Sequence, residues 1–141
     1  MGRVYWPPRT MAGYLHTKHF SLSEAQSLIH KVKPLSVELV QLKKTLDQKG
    51  YDIHRHQFFG GSGANGERFF PAELERLVDI LKKFEKLGIL VKGIEQGLID
   101  FPHVRSNGEE VYLCFKADET EIRFWHSLES GFAGRTSIKA L

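Results

Sequence analysis

The sequence predicts an α+β protein, a long antiparallel helical hairpin packed with a small antiparallel β-sheet of about three to four strands. Three observations carry this. Apolar residues recur at helical spacing from Ala25 to Leu46 and again from Leu74 to Phe84. After Gly88 the period changes to extended runs around an Asn-Gly pair. A chain of 141 residues fits one domain. Residues 1–18 show no sustained period and read as an irregular N-terminal arm. Residues 19–141 form the domain, with the hairpin over 21–88 and the sheet and C-terminal loop over 89–141.

The first helix opens on Ser21-Leu22-Ser23-Glu24, a capping box. The Ser21 hydroxyl can accept from the amide of Glu24, and the Glu24 carboxylate from the amide of Ser21. Ala25, Leu28, Val32, Leu35, Leu39, Leu42 and Leu46 then alternate steps of three and four, a heptad seam. Gly50 should stop the helix, and Pro34 removes one backbone hydrogen bond within it. Residues 50–70 contain five glycines and no helical period, a long connection. Pro71 then opens a second helix whose stripe is Leu74, Leu77, Leu81 and Phe84, ending at Gly88. The two stripes are expected to pack as an antiparallel pair.

Residues 98–105 and 110–116 flank Ser106-Asn107-Gly108-Glu109, and 121–126 form a further strand. With Asn107-Gly108 as a two-residue turn, Val104 faces Val111, Pro102 faces Leu113 and Asp100 faces Phe115. With Asp118-Glu119 as the next turn, Val111 faces His126. One sheet face then carries Val104, Val111, Leu113, Phe115, Ile122 and Phe124, together with Asp100 and His126. That face should pack on the helices.

Two polar groups on a dry face invite a functional reading. A carboxylate among apolar neighbours must be paired or protonated. Asp100 therefore reads as a metal ligand or general base, or else as a structural carboxylate paired with Arg135. Asp100, His126 and Glu129 together offer mixed nitrogen and oxygen ligands for a divalent metal such as zinc. In the register above, Asp100 and His126 stand two ladder positions apart, too far for one ion. Cys114 falls on the opposite face, so a Cys-His nucleophilic pair fails on side-chain parity. His54 and His56 lie in the glycine-rich connection without a further ligand at a fixed offset. Gly60-Gly61-Ser62-Gly63 lacks the ending of a phosphate loop.

Bulk properties bound the function. One cysteine excludes an intrachain disulfide. A net charge of +3 and a pI near 9.0 are weakly basic. Acids and bases alternate along both helices, which argues against nucleic acid as a partner. Residues 1–18 lack the continuous apolar core of a signal peptide, and no stretch approaches a membrane span, so a cytoplasmic location is expected. The chain shows neither a His-Glu-x-x-His motif nor a nucleophile elbow, which leans away from an enzyme. The heptad seam favours an interaction or scaffold module, a homo-oligomer or a partner of another protein. The alternative is a metal-binding protein, possibly a metal-dependent hydrolase, centred on Asp100, His126 and Glu129.

Four segments carry a resemblance: Phe20-Ser21-Leu22-Ser23-Glu24-Ala25, Gly97-Leu98-Ile99-Asp100-Phe101-Pro102, Val111-Tyr112-Leu113-Cys114-Phe115, and Phe124-Trp125-His126 with Gly131-Phe132-Ala133-Gly134-Arg135. Together they resemble a family of small prokaryotic proteins catalogued as domain of unknown function 2203. The resemblance implies a bacterial or archaeal source and no particular activity. By motif match it leaves Asp100, Trp125, His126, Glu129, Gly131, Gly134 and Arg135 as the site candidates, with Trp125 and Arg135 as binding residues and Asp100, His126 and Glu129 as metal ligands.

Overall fold

The computed structural model describes residues 13–53 and 71–141. Helix α1 spans Leu22–Gln48 and helix α2 spans Ala72–Leu87. The capping box forms as the sequence implies, with Glu24 N donating to Ser21 Oγ at 3.0 Å and Ser21 N to Glu24 Oε1 at 2.8 Å. The helix runs on through Pro34. Lys49, just after α1, pairs with Glu73 at the start of α2 at 3.0 Å, and Arg76 pairs with Glu38 at 2.7 Å. Residues 54–70 of the expected connection, with His54 and His56, lie outside the described residues.

The buried stripe of α1 is Ala25, Ile29, Val32, Ser36, Leu39 and Leu46. It is rotated slightly from the expected seam, since Leu28, Leu35 and Leu42 are only partly buried. Ser36 explains the rotation. It is fully buried because the turn before the second strand crosses the helix there. A Cβ on Gly97 would lie 2.7 Å from Ser36 O and 2.7 Å from Ala117 Cβ. Only a small helix residue permits that approach.

The sheet has five antiparallel strands in sequence order rather than three or four. They are β1 (Leu90–Gly93), β2 (Leu98–Val104), β3 (Glu110–Phe115), β4 (Phe124–Ser127) and β5 (Thr136–Ser137). The last is a two-residue edge strand formed by the returning C-terminal loop, too short to show a period in sequence.

The register differs from the expected one by a single residue on both sides of β3. Asp100 pairs with Cys114, and Tyr112 pairs with His126. On the β2 side the cause is the turn. Arg105 and Glu109 close the β2–β3 hairpin through Arg105 N to Glu109 O at 2.8 Å, leaving the three residues Ser106, Asn107 and Gly108 as its loop. Gly108 donates to Arg105 O at 2.8 Å and takes φ 90°, the position that a three-residue loop assigns to glycine. The extra loop residue exchanges the two faces of β2 relative to β3, whose Leu113 and Phe115 keep the expected side.

The face toward the helices is therefore apolar: Val91, Ile99, Phe101, Leu113, Phe115 and Trp125 join the core built on Leu39, Leu77, Ile80 and Phe84. Asp100, Tyr112, Cys114 and His126 lie on the face turned away from the helices. The expectation that Asp100 and His126 face the hairpin is corrected, as is the separation of Cys114 from them.

The end of the N-terminal arm is docked on this outer face. The Glu110 carboxylate accepts from Leu15 N at 2.7 Å, His16 N at 3.0 Å and His19 Nε2 at 2.7 Å. Burial pushes the Glu110 pKa up, and these hydrogen bonds, led by that of His19, outweigh it, so the carboxyl titrates below its ordinary 4.5. Such a group stabilises the fold above its ordinary pKa, and the contribution disappears as pH falls through the depressed value. Glu110→Ala should cost about 2 kcal/mol, the scale of hydrogen bonds to a charged group. Denaturant midpoints measured at neutral pH and at a pH beneath the depressed value check this, because the variant and the wild type should converge in acid.

Candidate functional site

Three neighbouring strands bring Asp100, Cys114 and His126 together on the outer face. One ligand-type atom from each lies within 4.8 Å of the other two. Their exposures are 1%, 0% and 2%. His126 Nε2 lies 3.1 Å from Asp100 Oδ2. A fourth residue, Lys92, places its ammonium 3.2 Å from the same oxygen and 4.1 Å from the centroid of the Tyr112 ring.

Lys92 shares this face with Leu90, the residue opposite Asp100, and sits at an irregularity of the ladder. The pairing of β1 with β2 runs Leu90 with Asp100 and Val91 with Ile99, then skips to Gly93 with Leu98. Lys92 is the unpaired residue of a bulge. Nothing in the sequence period marks it. Gly93 was the available signal, since glycine inside a strand often accompanies a bulge.

The hydrogen-bond pattern fixes the proton count of the Asp100–His126 pair. His126 Nδ1 is 2.8 Å from Ser127 O, which can only accept, so Nδ1 carries a proton. The Nε2 to Oδ2 contact then requires a second proton. Burial opposes a charged His126 most strongly, yet the hydrogen bond and charge of Asp100, helped by the Ser127 carbonyl, outweigh it and raise the histidine pKa. The pair therefore shares two protons, with the Lys92 ammonium against the same Asp100 oxygen. Asp100 Oδ1 is buried and meets no donor.

Cys114 is a thiol in this setting. Burial, followed by the charge of Asp100, pushes its pKa up to about 12, against an opposing pull from Arg135. Tyr112 continues the array. Its hydroxyl is 2.7 Å from His16 Nε2, and its ring lies 5.4 Å from that of His126.

The other expected site residues separate. Arg135 belongs to the site, but its partner is Glu119, at 3.0 and 2.8 Å, rather than Asp100. Lys92 fills the role expected of it. Glu129 is exposed in the turn after β4 and stands outside the cluster. Trp125 lies on the opposite, helix-facing side, under the Arg105 guanidinium at 4.5 Å. Tyr14 secures the arm by donating to Gly108 O at 3.0 Å.

Fold and site thus define a small α+β protein whose antiparallel sheet carries a buried Asp-Cys-His group on its helix-free face. Residues 18–138 match a family described as "Uncharacterized conserved protein (DUF2203)", and the chain belongs to that family. No curated protein and no solved structure matches it. Among the described residues, no helix is long and apolar enough to cross a membrane.

Proposed function

We propose that the protein binds a divalent transition metal, zinc by preference, through Cys114 Sγ, His126 Nε2 and Asp100. The observation that carries this reading is the buried convergence of three ligand types, with Asp100 Oδ1 left unsatisfied. A sulfur, nitrogen and oxygen set suits zinc or cobalt and discriminates against magnesium and calcium. The Nδ1 hydrogen bond to Ser127 O has the form expected of a metal-binding histidine, because it fixes the ring and leaves Nε2 for the metal.

Charge supports the same reading. A divalent cation would replace two protons, one from the Cys114 thiol and one from His126 Nε2. The net charge of the buried group is then the same before and after binding. That exchange avoids the penalty of adding uncompensated charge to a dry site. The group is enclosed, which fits a structural or storage site better than a hydrolytic one with an open position.

The seam that suggested a self-associating scaffold gives that reading less support than the cluster gives the metal one. Ala25, Val32, Leu39 and Leu46 are fully buried in the chain's own core.

The test is cobalt(II) titration of the chelator-treated, tag-free chain. A sulfur-to-cobalt charge-transfer band with one equivalent bound is expected, together with its loss in Cys114→Ser. Affinity should climb steeply with pH while His126 remains protonated, by up to about hundredfold per unit for two released protons. No band, and no metal in the purified protein, sinks the proposal.

A further inference from the structure

We infer that Arg135 is the outer hydrogen-bond donor that holds Cys114 as a thiolate in the metal-loaded site. The inference rests on the metal reading above and assigns a positioning role, since a guanidinium has no lone pair to ligate with.

Arg135 is held on three sides. Its Nη2 donates to both oxygens of Glu119. Its guanidinium stacks 4.2 Å from the Phe124 ring centroid and 4.7 Å from that of Phe132. Phe124 is the cross-strand partner of Cys114 and shares its face, which sets Arg135 beside the thiol. The backbone on either side is fixed as well. Thr136 pairs with Trp125 in the sheet. On the other side, a Cβ on Gly134 would come within 2.6 Å of Ser130 Cβ, so the turn into Arg135 is tightly wound.

Within this clamp one donor has nothing to do. Arg135 Nε is buried and meets no acceptor at hydrogen-bond distance and angle. Across the same cluster, Asp100 Oδ1 is a buried acceptor without a donor. Both are costly, on the order of 1–3 kcal/mol each or more for charged groups. A single event satisfies both. When a cation displaces the thiol proton, Asp100 supplies an oxygen to the metal. The sulfur then becomes an anion able to accept the Arg135 Nε–H. A neutral thiol is only a weak acceptor, so the donor is poised for the loaded state. Hydrogen bonds to metal-bound sulfur withdraw electron density from it and tune the site.

Cobalt(II) is the probe, with the full chain as wild type, Arg135→Met and Arg135→Lys. The methionine variant should bind cobalt about ten- to hundred-fold more weakly, the usual scale for an outer-shell partner. Its sulfur-to-cobalt band should move to lower energy, because the sulfur donates more freely without the hydrogen bond. Lysine, which keeps a charge and N–H donors, should recover part of the affinity. A methionine variant with wild-type affinity and an unmoved band overturns the assignment while leaving the metal site standing. A wild type without any band overturns both. Should Arg135→Met lose its folded circular dichroism, Glu119→Gln keeps the guanidinium but loosens its anchor. The band should then shift in the same direction, and an unmoved band overturns the inference.

Discussion

Gly97→Ala is expected to destabilise the protein by about 2–5 kcal/mol, summing a left-handed backbone penalty and overpacking. Gly97 sits at φ 63°, a conformation that side chains rarely adopt. Its missing Cβ would meet Ser36 O and Ala117 Cβ, both at 2.7 Å. Neither neighbour is the free end of a flexible side chain. Ser36 O belongs to the buried face of α1, and Ala117 is held by its N–H, which donates to Gln96 O at 3.2 Å. Lys33 Nζ also donates to Ala117 O and Glu119 O, at 2.5 and 2.6 Å, fixing the loop after β3 against the helix. At this chain length the loss should lower the melting temperature by roughly 5–15 °C. Gly50→Ala is the control. It shares the left-handed conformation, at φ 76°, but a Cβ there meets nothing within 4 Å. Its cost should stay near 1 kcal/mol. Equal melting temperatures for the two variants would show that the crossing at Ser36 is softer than its distances imply.

The position of Gly97 also shows how far the sequence could be read. The caps of α1, the stops at Gly50 and Gly88, and the change of period after α2 were legible because each is a local signal. The rotation of the α1 stripe toward Ser36 was not, because a serine becomes a core residue only when a distant glycine crosses it. The same holds for the bulge at Lys92, which is defined only by pairing with another strand.

Register was the decisive uncertainty, and the sequence held a clue to it. Asn107-Gly108 serves equally as a two-residue turn or as the end of a three-residue loop, and the choice exchanges the faces of β2 relative to β3. The two-residue register left Asp100 and His126 on the face meant for the core. The alternative makes that face Ile99, Phe101, Val111, Leu113, Phe115 and Trp125, with no carboxylate among them. Two polar residues stranded on a dry face signalled a slip as much as a site. Once the register shifts on both sides of β3, Cys114 joins Asp100 and His126, and the parity argument against it reverses. Glu129, only three residues after His126, was drawn in by sequence proximity, whereas the third ligand comes from across the ladder.

The second large effect separates what the cluster does for the fold from what it does for a ligand. His126→Leu should cost about 3–5 kcal/mol, because it leaves a buried carboxylate facing Lys92 alone, with both oxygens short of donors. Asp100→Leu combined with His126→Leu should recover most of that loss, since apolar side chains replace the ion pair in a site already walled by Phe124 and Tyr112. Lys92, whose side chain is 35% exposed, can turn to water in the double variant. Guanidinium unfolding in the presence of chelator measures both. If the double variant is as unstable as the single one, the pair is a structural keystone and the metal reading loses its main physical motive. If it folds well and fails to bind cobalt, the charged group contributes little to stability that apolar residues could not supply. Its arrangement of Asp100, Cys114 and His126 is then accounted for by the ligand it holds.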